Sequence, residues 1–169
     1  TTEFRDLYAD ELKAKETTFV KECTIETDLE VLLPDDYVTN ITERLVLYKE
    51  LNDLETDEQL DTYTANLADR FGPLPVATKE LVETIKLRRL AKNLGMEKLV
   101  LKRETMICYF VSNQESNYYK SPAFMSLIRF VQDNPKICYL KENKDKLSLV
   151  FGSVKSIASA TDILRRMGI

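Results

Sequence analysis

TDEQLDTYTANLADRFGPLP, residues 56–75, holds a complete helix with both of its boundaries and the opening of the next helix. Thr56 and Gln59 stand three residues apart, the spacing at which a side chain and a backbone cap each other's unpaired donors at a helix start. Leu60, Tyr63, Leu67 and Phe71 recur at helical spacing and define a buried side, whereas Asn66, Asp69 and Arg70 fall on one polar stripe beside it. Gly72 suits the chain reversal past a helix end, Pro73 forbids continuation, and Pro75 fits the first turn of a following helix. A stiff corner between two helices is predicted.

Upstream, Asn40 and Glu43 form a capping pair for a helix whose buried stripe is predicted as Ile41, Leu45, Tyr48, Leu51 and Leu54. The short gap to Thr56 makes this helix and the next an antiparallel hairpin. From Glu22 to Leu33 apolar and polar residues alternate, which predicts a strand whose wet face carries Glu22, Glu26, Asp28 and Glu30, read as a solvated edge that discourages aggregation. Pro34-Asp35-Asp36 closes it with turn chemistry. Phe4, Leu7, Tyr8 and Leu12 predict a short helix before it.

Downstream, the helix from Pro75 to about Asn93 is apolar on two different sides, Leu81, Val82 and Ile85 first, then Leu87, Leu90, Ala91 and Leu94. It is therefore predicted to bridge the hairpin and a sheet, ending at Gly95. Lys98–Arg103 and Met106–Val111 read as a tight hairpin, with Asn113 to Tyr119 as loop. Ser121 caps a helix carrying Phe124, Leu127, Ile128 and Val131. A second hairpin is predicted from Lys136 to Phe151 around Asn143-Lys144-Asp145, and a last helix capped by Gly152-Ser153 runs to Gly168. The expected fold is α/β of the α+β type: a helical hairpin plus a bridging helix on a small, mostly antiparallel sheet, with two further helices.

Of the 169 residues 44% are hydrophobic and 31% charged, ordinary for a globular chain, and no apolar run approaches the roughly 18 residues that span a bilayer. The chain begins Thr1-Thr2, which suggests a piece of something longer. A net charge of −4 argues against a domain whose main task is to neutralise phosphates. Lys86, Arg88, Arg89, Lys92, Lys98, Lys102 and Arg103 cluster in sequence, but such runs commonly form a solvated face. The chain has no histidine, and Cys23, Cys108 and Cys138 lie in separate apolar segments, without the spacing of a zinc site or a disulfide framework. The four glycines punctuate elements rather than form a phosphate loop. Asp35-Asp36, Glu142 and Asp145 have turn roles that explain them without catalysis, and Tyr118-Tyr119 beside Lys120 reads as an aromatic cover over the core more readily than as a base-stacking pair. No catalytic, cofactor-binding or metal-binding residue is expected.

ECTIETDLEVLLPDDY (Glu22 to Tyr37), ERLVLYKEL (Glu43 to Leu51), LADRFGPLP (Leu67 to Pro75) and LRRLAKNLG (Leu87 to Gly95) together resemble the C-terminal domain of the bacterial transcription-repair coupling factors, the Mfd family. The resemblance implies a connector from a preceding motor domain over residues 1–21 and a single TRCF C-terminal domain over 22–169. It implies a cytoplasmic, DNA-translocating ATPase that dislodges stalled RNA polymerase and recruits the repair protein UvrA, with ATP and magnesium held by the motor and not by this part. In that family the domain folds back on a UvrB-like N-terminal module and masks the surface that UvrA uses, so an autoinhibitory protein-interaction domain is expected here, neither an enzyme nor itself a binder of DNA or membrane. Its contact residues carry over by position to Asn66, Asp69 and Arg70. Relatives commonly have a carboxylate where Asn66 stands, so one charge of that contact is absent. The alternative is a nucleic-acid-binding appendage of the translocase, which predicts a continuous positive groove over Arg88, Arg89, Lys98 and Lys102; a free-standing enzyme predicts a deep cleft with converging carboxylates.

Overall fold

The computed structural model describes residues 19–168, so the helix expected from Phe4 to Leu12 lies outside the described residues. Its elements are, in order, β1 (Thr24–Thr27), α1 (Ile41–Asn52), α2 (Asp57–Phe71), α3 (Val76–Asn93), β2 (Met96–Lys102), β3 (Thr105–Phe110), α4 (Pro122–Asp133), β4 (Cys138–Asn143), β5 (Lys146–Phe151) and α5 (Ile157–Met167). The strands form one sheet in the order β1-β2-β3-β5-β4, parallel only between β1 and β2. This is the α+β architecture that the sequence predicts.

The described residues form two apolar cores, and α3 belongs to both. Val82 and Ile85 from its first half join Leu47, Leu51, Leu60, Tyr63 and Leu67 of the α1–α2 hairpin, while Leu87, Ala91 and Leu94 enter the core between the sheet and α4 and α5. The expected bridging helix is thus present with the expected partition of its faces. The hairpin is pinned by polar contacts as well: the Tyr63 hydroxyl donates to the Leu47 carbonyl at 2.8 Å, and the Tyr37 hydroxyl donates to the Gly72 carbonyl at 2.8 Å, across the corner between α2 and α3. The Thr56–Gln59 capping box is complete, and Gly72 takes φ +92.

Helices cover one face of the sheet. Leu99 and Leu101 of β2, Met106 and Cys108 of β3, and Leu149 and Phe151 of β5 point into the larger core, as does Cys138 of β4. The alternate residues Val100, Ile107 and Val150 belong to neither core and lie on the opposite side. Each of the two hairpins turns on two residues with positive φ and no glycine: Arg103 and Glu104 between β2 and β3, Lys144 and Asp145 between β4 and β5.

Several expectations are corrected. The predicted strand from Glu22 to Leu33 keeps only Thr24–Thr27, because the Thr27 hydroxyl accepts the Leu29 N–H at 3.1 Å and turns the chain out of the sheet. Leu33 then serves the hairpin core, its N–H donating to the Tyr48 hydroxyl at 2.7 Å. On α1 the buried residues are Leu47 and Leu51, whereas Ile41 and Leu45 are 65% and 64% exposed. That helix is apolar on several sides, so periodicity alone does not select the face; packing against Tyr63 does. The last helix starts at Ile157 and is capped by Ser156, with the Glu80 carboxylate of α3 accepting the Ile157 N–H at 2.6 Å, so Gly152-Ser153 lies in the preceding turn. The loop after β3 contains a 3-10 turn, Asn117–Lys120, that buries Tyr118 completely.

Tyr118 also explains Gly95. The Tyr118 hydroxyl donates to the Leu94 carbonyl at 2.6 Å, and a Cβ on Gly95, whose φ is +84, would fall inside the Tyr118 ring. At Gly72 a Cβ would meet open space. Gly95→Ala is therefore expected to cost about 3 kcal/mol or more in urea unfolding, combining overpacking with backbone strain, against about 1–2 kcal/mol for Gly72→Ala from strain alone. Equal costs at the two sites would contradict the close packing of Tyr118.

The three cysteines are buried and unpaired with one another. Burial pushes the Cys23 thiol up to about 11, partly offset by the nearby Arg88, and pushes Cys108 and Cys138 upward too. Thiol labelling of native protein is expected to be slow, with the Cys23 rate still climbing between about pH 9 and pH 10, where an ordinary exposed thiol has levelled off. Rapid native labelling would show that the core opens.

Candidate functional site

Asn66, Asp69 and Arg70 sit together on the exposed side of α2, and with Leu47, Glu50 and Tyr63 they line a shallow hollow of about 260 Å³ between α1 and α2. The hollow lies beside an open groove of about 660 Å³ along the hairpin, where Asp53, Glu58 and Gln59 join Glu50, Tyr63 and Asn66. The local reason is the rotation of α1. Glu43, Leu47 and Glu50 follow one another at i, i+4 and i+7, and once Leu47 is buried against Tyr63, the two carboxylates stand along the rim facing the triplet.

Arg70 is committed within the domain. Its guanidinium forms an ion pair with the Glu43 carboxylate and lies 4.8 Å from the Phe71 ring centroid. The other charged residues lining the hollow and the groove are Glu50, Asp53, Glu58 and Asp69, all carboxylates. Burial, and then the adjacent Glu50, holds the Tyr63 phenol well above the usual range, so it remains a neutral hydrogen-bond donor to Leu47. The result is an acidic, open groove with one braced cation at its edge. It suits a basic protein surface, since its charged residues are reachable from solvent and its walls are two helices joined through Tyr63 rather than a closed cleft.

The other sequence candidates do not assemble a second site of the expected kinds. Arg88 and Arg89 lie on α3, with the Arg89 guanidinium donating to Asp57 at 2.9 Å, whereas Lys98 and Lys102 project from the uncovered face of the sheet beside Glu26, at 3.3 and 3.8 Å. The continuous positive groove over these four residues is therefore absent, because the sheet separates them. Asp35 and Asp36 occupy the turn in which the Tyr37 and Val38 N–H groups donate to the Pro34 carbonyl at 3.0 Å, and Asp145 sits in the β4–β5 turn. Among the described residues no three of His, Cys, Asp and Glu converge as metal ligands.

Sequence reasoning missed Glu43 and Glu50. Spacing presents Glu43 as a cap partner, and its backbone N–H does donate to the Asn40 side chain at 2.9 Å, but its carboxylate goes to Arg70. The i, i+4, i+7 spacing of Glu43, Leu47 and Glu50 was the available signal, hidden by the competing stripe of Ile41 and Leu45.

A family model described as the TRCF domain matches residues 27–121. The chain is 31% identical over 148 residues to the transcription-repair-coupling factor of Haemophilus influenzae, covering 82% of this chain and 13% of that protein. It is 27% identical over 146 residues to that of Rickettsia conorii, covering 85% and 13%. The chain thus spans about 13% of the length of these relatives. A crystal structure of the C-terminal domain of a transcription-repair coupling factor superposes with a TM-score of 0.68 at 16% identity, over 86% of this chain and 93% of that one, a likeness of fold.

The Glu43–Arg70 pair is partly exposed, at 35% and 53% of the two side chains. Its coupling energy in a Glu43→Gln/Arg70→Gln double-mutant cycle is expected to be at most about 1 kcal/mol and to shrink with added salt. A larger, salt-independent coupling would mark the pair as part of the core.

Proposed function

This chain belongs to the TRCF domain family, and from that premise we propose that it is the autoinhibitory clasp of a transcription-repair coupling factor. In this reading the α1–α2 groove closes on a basic surface of the UvrB-like module of the same protein and masks the surface that UvrA uses, until the factor engages stalled RNA polymerase. ATP- and magnesium-dependent translocation along DNA belongs to another part of the full-length protein; this domain carries no catalytic residue, needs no cofactor and works in the cytoplasm. The observation that carries the reading is the meeting of Asn66, Asp69 and Arg70 on the rim of an acidic groove, with Arg70 oriented by Glu43.

The energetics suit a latch. Exposed charge contacts contribute about 0–1 kcal/mol each, too little for a tight complex between separate molecules. Within one chain an effective concentration on the order of millimolar keeps such a contact mostly closed and still easy to open. Asn66 offers amide donors and an acceptor where a carboxylate would offer charge, so Asp69 and Glu50 supply the negative side of the contact.

Replacing Asn66 and Asp69 with alanine in the full-length protein is expected to raise UvrA affinity about tenfold, the effect of losing about 1.4 kcal/mol from the closed state. The melting temperature of the 169-residue chain should stay within a few degrees, because both side chains are exposed. Raised salt should move UvrA affinity the same way in the unmutated protein. Unchanged affinity with an unchanged melt would remove these residues from the clasp.

A further inference from the structure

Among the described residues no helix covers the second face of the sheet, which gathers residues that are scattered in sequence. Strand register places Thr24, Lys98, Tyr109, Ser148 and Lys141 in one row across it, and Glu26, Val100, Ile107, Val150 and Tyr139 in the next. Lys102 and Lys146 extend the same face by one step along β2 and β5. The floor is apolar, and two tyrosines stand in it, Tyr139 57% exposed and Tyr109 half-buried. Four lysines surround them, against one carboxylate, Glu26, which pairs with Lys98 and Lys102. Lys141 and Lys146 make no ion pair among the described residues. In a chain of net charge −4 this concentration of cations is local.

Beside Tyr109 the face dips into a cavity of about 280 Å³, edged by Lys98 and Lys146. Its one carboxylate, Glu97, is turned towards the loop, where the Ser112 N–H and hydroxyl donate to it at 3.2 and 3.4 Å. Ser148, next to Tyr109 in the row, is buried, its hydroxyl donating to the Lys141 carbonyl at 3.3 Å, so the open space beside the ring is the cavity itself. A planar ring that lines an open cavity and has cations at its rim accepts a nucleobase, with the flanking phosphates meeting the lysines.

We propose that this open sheet face binds single-stranded nucleic acid, with Tyr109 and Tyr139 as stacking surfaces and Lys98, Lys102, Lys141 and Lys146 as phosphate contacts. The two rings lie on strands separated by β5 and are offset by one step, roughly 12 Å apart, which allows for about two or three splayed bases. A duplex does not fit this chemistry. Its bases are already stacked on one another and present no free face to the two rings. The site is distinct from the helical groove, so each reading can fail without the other.

The test is fluorescence anisotropy of labelled oligo-dT and oligo-rU of about 12 nucleotides, titrated with the 169-residue chain. Binding at about 50 mM salt should weaken about fifty-fold by about 200 mM, as four phosphate contacts on a single strand require. Tyr139→Ala should weaken it about tenfold and Tyr139→Phe should not, since the ring and not the hydroxyl stacks. The double variant Lys141→Glu/Lys146→Glu should remove most of the binding and flatten the salt dependence, with melting curves unchanged for all three variants. A preference for dT or for rU identifies the kind of strand, and either supports the assignment. Three outcomes overturn it: no binding at the lower salt, indifference to Tyr139→Ala, or displacement of the oligonucleotide by polyglutamate at equal charge, which would make the face a dock for an acidic protein.

Discussion

Everything in this domain hangs on α3 having two apolar faces that point in different directions. A helix with one stripe would satisfy either the α1–α2 hairpin or the sheet and leave the other without a partner. Because Val82 and Ile85 serve the first core and Leu87, Ala91 and Leu94 the second, a single rod fixes the distance and angle between two layers that otherwise touch little. Its polar residues reinforce the role at both ends: the Thr78 hydroxyl donates to the Leu32 carbonyl at 3.1 Å, Arg89 reaches Asp57 of α2, and Glu80 holds the start of α5. The groove on the hairpin and the open sheet face therefore keep a fixed relation, although no residue is shared between them.

The residues around the α2–α3 corner are legible in the sequence because each acts locally. A capping box, a glycine past the helix end and prolines beyond it depend on neighbours a few positions away, and Thr56, Gln59 and Gly72 do what their types imply. The bridging role of α3 was legible for the related reason that its apolar stripe visibly changes side. What was not legible required contacts between distant segments. The exposed flank of α1 cannot be told from its buried flank by spacing, since Ile41, Leu45, Val46, Leu47 and Leu51 are spread around the helix rather than gathered on one side; a tyrosine on another helix decides. Likewise the strand that alternation extends to Leu33 stops at Thr27, since alternation records which residues become buried and not which surface buries them.

The candidate site divides in the same way. That Asn66, Asp69 and Arg70 share a stripe follows from helical geometry alone. That Arg70 is already engaged by Glu43, and that Glu50 faces the triplet, follows from the packing of two helices. The charge of the chain misleads in a further respect: a net value of −4 describes the whole surface, whereas register sorts lysines onto the sheet face and carboxylates onto the hairpin. Lys98, Val100 and Lys102 read in sequence as a basic run interrupted by valine, yet in a strand they are consecutive positions on one side, and the intervening Leu99 and Leu101 are buried on the other.

The one parallel pairing has a consequence for the order in which the chain assembles. Thr24 lies beside Lys98, so β1 and β2 are neighbours in the sheet, with the hairpin and α3 strung between them. The β2–β3 and β4–β5 ribbons and the α1–α2 hairpin close short loops and can form early, whereas β1 must wait until a long intervening stretch has collapsed before its few hydrogen bonds return anything. β1 is then the last strand to join and the first to leave, a seam four residues long at the edge of an otherwise antiparallel sheet. Its amide exchange, compared with that of β3, reads the seam directly.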